Sequence, residues 1–97
     1  MKSIMQTEKK CYLCGRTQGL DKHHVFMGRK HRPLSEKYGL TVWLCNDFTP
    51  TRCHKQVHEG EHAEALQDAL HRKGQEAFEE VHGNREDFMR IFDRNYL

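Results

Sequence analysis

Four cysteines and a subset of the eight histidines are the residues of this chain best suited to chemistry. Cys11-Tyr12-Leu13-Cys14-Gly15 has the form of a metal knuckle, in which two thiolates converge on a tight turn and the glycine relieves crowding. Cys45 and Cys53 offer a second pair, although seven residues separate them where a knuckle has two. The intervening NDFTPTR stretch must bulge outward for the thiols to meet, which costs little because loop insertions carry a small entropic penalty. Zinc favours four tetrahedral ligands, so Cys11 and Cys14 with Cys45 and Cys53 are the expected structural site. His54 in place of Cys53 is the alternative fourth ligand, and four unconnected buried cysteines are the bland one.

The histidines come in two groups. His54 and His58 stand at i and i+4, which on a helix puts both imidazoles on one face, one turn apart. Cys53 then points about 100° away from His54, so one helical turn can serve two centres. Solvated helix histidines are the plainer reading of such a pair. His23 and His24 are neighbours, and on a regular strand they face opposite sides, so both enter one site only where the strand ends or kinks. His31, His62, His71 and His82 have no such company and read as surface residues, with His31 a candidate contact to phosphate.

The chain that must position these groups has 97 residues, 36% apolar and 31% charged, enough for one domain with little core. Ordering costs roughly 1.5 kcal/mol per residue, and apolar burial at this size about cancels it, so a staple is expected. The early residues hold no apolar run suited to a signal peptide or membrane span, and the Met1-Lys2 start reads as cytosolic. In a reducing compartment a thiolate metal site is favoured over two disulfides.

Charge is unevenly spread. Residues 1–55 carry 11 Lys/Arg against 4 Asp/Glu, whereas residues 56–97 carry 5 against 10. The basic half holds the cysteines and the histidine pair, which points to a polyanionic substrate. Arg29, Lys30 and Arg32, in a turn-rich loop over residues 28–33, and Lys55 are placed to hold backbone phosphates, unless that loop is simply solvated.

Patterning predicts a polar, loose lead-in over residues 1–10 and short strands over residues 22–26 and 40–44. Thr49 or Thr51 can cap a helix beginning near Arg52. Ala63, Leu66, Leu70, Ala77, Phe78 and Val81 recur at helical spacing, with Gly74 a weak point and Gly83 placed as a C-terminal cap. Asn84, with Asp87 three residues on, opens a last helix carrying Phe88, Ile91 and Phe92 on one face. That face either packs on the rest of the chain or dimerises, with a monomer the default.

Taken in order, Cys-x-x-Cys-Gly, His23-His24 before a hydrophobic residue, a strand ending Leu44-Cys45, and Cys53-His54-x-x-x-His58 resemble the HNH endonucleases. The likeness spans about residues 11–58 and is strongest to small phage or prophage members with a zinc-binding cysteine set; the ending Asn95-Tyr96-Leu97 also fits them. The resemblance implies a small α+β fold: a ββα-metal core with a treble-clef-like zinc site over residues 11–60, then C-terminal helices over 61–97. It implies that His24 is the general base, that His23 and His54 bind a catalytic metal, and that His58 is a further ligand or a phosphate contact. Mg²⁺, Mn²⁺, Ni²⁺ or Zn²⁺ would serve there, beside a structural Zn²⁺. The implied substrate is DNA, double-stranded and cut or nicked to 5′-phosphate and 3′-hydroxyl ends, in the cytoplasm of a bacterial host. The chain departs from the family where members carry an asparagine before Leu-Cys: here the residues are Tyr38-Gly39-Leu40-Thr41-Val42. A different class of protein, a non-catalytic zinc module that binds nucleic acid or another protein, needs the cysteines and the basic loop alone.

Overall fold

Two short strands, β1 (Leu20–His24) and β2 (Thr41–Cys45), pair antiparallel with Leu20 opposite Cys45 and His24 opposite Thr41. The computed structural model describes residues 1–97, and between and after the strands lie α1 (His31–Tyr38), α2 (Cys53–Glu59), α3 (Ala63–Val81) and α4 (Arg85–Phe92). Strand alternation puts Asp21 and His23 on one face with Val42 and Leu44, and His24 on the other. β1 begins and ends two residues earlier than its hydrophobic pattern predicts. The reason is Phe26, whose N–H donates to Ser35 Oγ (3.0 Å) and whose carbonyl accepts from the same hydroxyl (2.8 Å). That exchange with α1 takes Phe26 off the ladder and into the core.

Two expectations change. The basic loop is short, because a helix starts at His31 with Pro33 inside its first turn. Proline is accepted there since its missing N–H has no helical partner at that position. Gly39 closes α1 in the left-handed region, φ 72°, its N–H reaching the carbonyls of Ser35 and Glu36. The lead-in is also not loose. Ile4 N–H donates to Gly39 O (2.8 Å), Trp43 N–H donates to Gln6 Oε1 (2.9 Å), and Ser3 Oγ donates to Thr41 O, so residues 3–6 cover the free edge of β2.

The C-terminal helices settle the core. Phe26, Phe78, Phe88 and Phe92 are all essentially solvent-free and in mutual aromatic contact, with Val25, Leu40 and Leu70 around them. Phe88 and Phe92 therefore face inward within one chain rather than a second copy. Full burial of each such ring is worth about 1.5–3 kcal/mol. Asn84 opens α4 with the predicted capping box: its side chain accepts from Asp87 N–H, and the Asp87 carboxylate accepts from Asn84 N–H. The α3 terminus differs from expectation. His82 is its cap, with an N–H bond to Phe78 O, and Val81 is 55% exposed rather than a core residue. Gln75, fully buried, accepts from Tyr96 N–H (2.7 Å) and donates to Asn95 Oδ1 (2.8 Å), which pins the C-terminal residues to α3.

Gly74 is not a weak point but a contact. A Cβ added there would lie 2.9 Å from Phe26 Cε2 and 3.2 Å from Val25 Cγ1. The Phe26 ring is held on several sides by His71, Phe88, Phe92 and Tyr96, so it cannot yield cheaply. Overpacking costs about 1–3 kcal/mol, whereas alanine gains about 1 kcal/mol of helix propensity. Gly74→Ala is expected to lower the urea midpoint; a raised midpoint would show that the core has slack at this position.

Candidate metal centres

The knuckle forms as its sequence predicts. Gly15 adopts φ 81° and donates its N–H to Cys11 O (2.9 Å), while Cys14 N–H points at Cys11 Sγ (3.5 Å). Across from it, the loop after β2 turns through Asn46 and Thr49, and Thr49 Oγ1 accepts from Arg52 N–H (3.2 Å). Arg52 takes a left-handed conformation, φ 46°, which starts α2 so that Cys53 N–H donates to Cys45 Sγ (3.2 Å). Cys14 Sγ and Cys45 Sγ are 3.8 Å apart, and the four sulfurs all lie within 4.8 Å of one another. Tetrahedral zinc with bonds of about 2.3 Å spaces its sulfurs at about 3.8 Å. The four thiols thus form a group that can hold a metal such as zinc. Cys53 completes it, and His54 does not.

Electrostatics within the group favour a cation. Burial opposes ionisation of Cys45, but the Thr49 and Thr51 hydroxyls and the Cys53 N–H outweigh it and bring that thiol down to about 6. Cys14 is lowered too, chiefly by the Thr51 hydroxyl. Cys53 is pushed up strongly by burial and then by the neighbouring thiols. Thiolates this close ionise together only around a positive charge.

The second group lies on the other side of α2. His23 from β1 meets His54 and His58 from the first turn and a half of that helix, with ring centroids 5.3, 5.3 and 4.8 Å apart. Their ligand nitrogens also lie within 4.8 Å of one another. His54 and His58 bring their Nε2 atoms to 3.1 Å, a spacing that two imidazoles on one metal at about 2.0–2.1 Å also show. His23 is 2% exposed. Burial, then the imidazoles of His54 and His58, pushes it down to about 3, so it stays neutral at pH 7 with a lone pair to donate. His58 is lowered as well, first by burial and then by His54.

Asp21 belongs to this centre and was not among the residues singled out from the sequence. Its Oδ2 is 3.0 Å from His54 Nδ1. An ionised carboxylate accepts, so Nδ1 carries the proton and Nε2 is left as the lone-pair nitrogen facing His58. The available signal was the two-residue offset between Asp21 and His23, which puts both on the same strand face.

His24 is not part of the ligand group. β1 ends at His24, and the side chain turns to line a small cleft of about 180 Å³ together with His23, His54, His58 and Arg32. Its Nε2 is 3.8 Å from Glu36 Oε2 on α1. Burial lowers its proton affinity, and Glu36 partly restores it.

The basic residues divide. Lys30 is paired with Asp93 (2.7 Å) at the junction of α1 and α4, and Lys55 with Glu59 (3.6 Å), both in exposed pairs of small energy. Arg29 and Arg32 remain, lining with His24 an open cleft of about 460 Å³ beside α1. Among the histidines taken as surface residues, His31 bonds Asp93 (3.1 Å), and His71 is buried enough to stack on Phe26. His82 Nε2 bonds Tyr38 O (2.8 Å).

No protein-family model, curated protein or solved structure matches the chain. What the fold and sites define is a small α+β domain with a two-stranded sheet, four helices and a four-cysteine group suited to a metal such as zinc. No helix in it is long and apolar enough to cross a membrane.

Proposed function

We propose that the protein is a metal-dependent DNA endonuclease of the HNH type, hydrolysing phosphodiester bonds in phage or prophage DNA processing. The observation that carries the reading is the convergence of His23, His54 and His58 beside a fourth histidine, His24, that lines the same cleft. In this reading the four cysteines hold structural zinc and the three-histidine group holds a divalent ion. A divalent cation there supplies charge to the scissile phosphate and the leaving oxygen. His24 accepts the proton of the attacking water at a ring nitrogen, for which a neutral imidazole is suited near pH 7. Arg29 and Arg32 hold flanking phosphates, contacts that position DNA without reading its sequence.

The test is incubation of the purified protein with supercoiled plasmid and Mg²⁺, Mn²⁺ or Ni²⁺. The expected result is nicked or linear product that depends on added metal and is blocked by EDTA. The Asp21–His54 pair adds a second expectation. Carboxylates behind metal-bound histidines typically contribute 10- to 100-fold to affinity, so Asp21→Asn should weaken divalent-metal binding at this centre by about that factor. Titration calorimetry on zinc-loaded protein would measure it, and unchanged affinity would remove Asp21 from the site.

A second reading is a zinc-stapled module that binds nucleic acid or a protein without cutting. It is favoured by the lack of the family's asparagine, the residues before Leu44-Cys45 being Tyr38-Gly39-Leu40-Thr41-Val42. DNA retained on the protein with no cleavage under any metal would select it.

A further inference from the structure

Phe48 is the most exposed large apolar residue of the chain, at 97%, while every other phenylalanine is buried. Single apolar residues on a surface are ordinary and usually mean nothing. This one differs in how it is held. Its N–H donates to Asn46 Oδ1 (3.0 Å), and Asn46 O accepts from both Thr49 N–H (3.1 Å) and Thr49 Oγ1 (2.7 Å). Asn46 N–H is bonded to Gly19 O (2.7 Å), and the loop runs directly between Cys45 and Cys53 of the four-cysteine group. The backbone that carries the ring is tied at several points, so a partner that stacks on it has only the two side-chain torsions of Phe48 to fix.

Its position is the second observation. Phe48 lines a cleft of about 350 Å³ whose other walls include His54 and His58. This cleft and the one containing His24 and Arg32 therefore flank the same pair of imidazoles. The two flanks differ in charge. Arg29 and Arg32 outnumber Glu36 on the His24 side, whereas Asp21, Asp47 and Glu59 outnumber Lys55 on the Phe48 side. Phosphates are attracted to the first flank and repelled from the second. An uncharged, flat, aromatic group suits the second.

We propose that Phe48 is a nucleobase-stacking residue, which takes an unpaired base of single-stranded DNA whose backbone lies along the arginine flank. The proposal deepens the nucleic-acid reading above and rests on it for the identity of the polymer. It also shifts the preferred substrate from fully paired DNA towards strands with an unstacked base near the three-histidine centre. Every base has a π-face, so the contact carries no sequence preference.

The test measures binding of a fluorescein-labelled single-stranded oligonucleotide, without added divalent metal, to wild type, Phe48→Ala and Phe48→Trp. Inorganic polyphosphate, which has charge but no bases, is the control ligand. Phe48→Ala is expected to weaken oligonucleotide binding about 10-fold or more and to leave polyphosphate binding unchanged. Phe48→Trp should bind at least as tightly as wild type, and its added tryptophan emission should be quenched by the oligonucleotide but not by polyphosphate. Because the side chain is solvent-exposed, thermal midpoints should match throughout. Equal oligonucleotide affinity for wild type and Phe48→Ala, or a parallel loss for both ligands, would overturn the proposal, as would wild type that binds no oligonucleotide. Plasmid cleavage is scored separately: stacking without cutting removes the nuclease reading and keeps this one, whereas cutting without a Phe48 effect does the reverse.

Discussion

Cys11→Ser is expected to abolish cooperative folding, and stripping metal from the wild-type protein with a strong chelator should do the same. Cys11 is 1% exposed, and it joins a knuckle near the amino terminus to β2 and the start of α2. Without an ion, the group leaves buried thiols that touch each other: Cys53 is held protonated by burial and by its neighbours, while Cys45 tends to ionise. A structural zinc contributes about 10–16 kcal/mol, comparable to or above the whole net stability of about 5–15 kcal/mol of an ordinary domain. Of the knuckle residues 11–15, the apolar core takes in Cys11 alone, with Tyr12 packed against it, so apolar contacts hold the knuckle at few points. Metal analysis should find zinc bound to the folded wild type, and circular dichroism with and without chelator should follow the loss. A chelated protein that still melts cooperatively at its original midpoint would refute the staple.

The second large effect is catalytic. Under the proposed nuclease reading, His24→Ala should reduce plasmid cleavage by about 10²- to 10⁴-fold, the usual contribution of a general base. Zinc content should not change, because His24 belongs to neither ligand group, and the fold should persist with a modestly lower melting midpoint, because the truncated side chain is only 17% exposed. His54→Ala predicts a different pattern. It removes one of the converging nitrogens and orphans Asp21, so divalent-metal affinity falls along with activity. The pair of variants thus separates proton transfer from metal binding. Full activity in His24→Ala would sink the assignment of the base.

Several features could be read from local spacing because the physics behind them is local. The Cys11–Cys14 knuckle, the i, i+4 placement of His54 and His58, the Asn84–Asp87 capping box and the shared apolar face of Phe88 and Phe92 each depend on residues within one or two turns. The capping box forms wherever those side chains meet a helix start, whatever packs above it. The strand ends did not follow the hydrophobic pattern, since Ser35, nine residues away, takes both polar groups of Phe26. Pro33 and the basic residues around it suggested a loop, but a helix tolerates proline in its first turn.

The chain's own residue types and spacings determined that there would be thiols in two pairs, imidazoles in two pairs and a small apolar complement for which a staple is the expectation. Tertiary structure decided how the pairs combine. It brought the partners together across the chain, Cys11, Cys14 and Cys45 to Cys53 and His23 to His54, filling the two sides of α2 that the roughly 100° between helix neighbours makes possible. It recruited Asp21 to His54, paired Lys30 with Asp93 just past the end of α4, and left Phe48 in water beside the histidines. Those outcomes rest on distances between segments remote in sequence, and no local pattern encodes such distances.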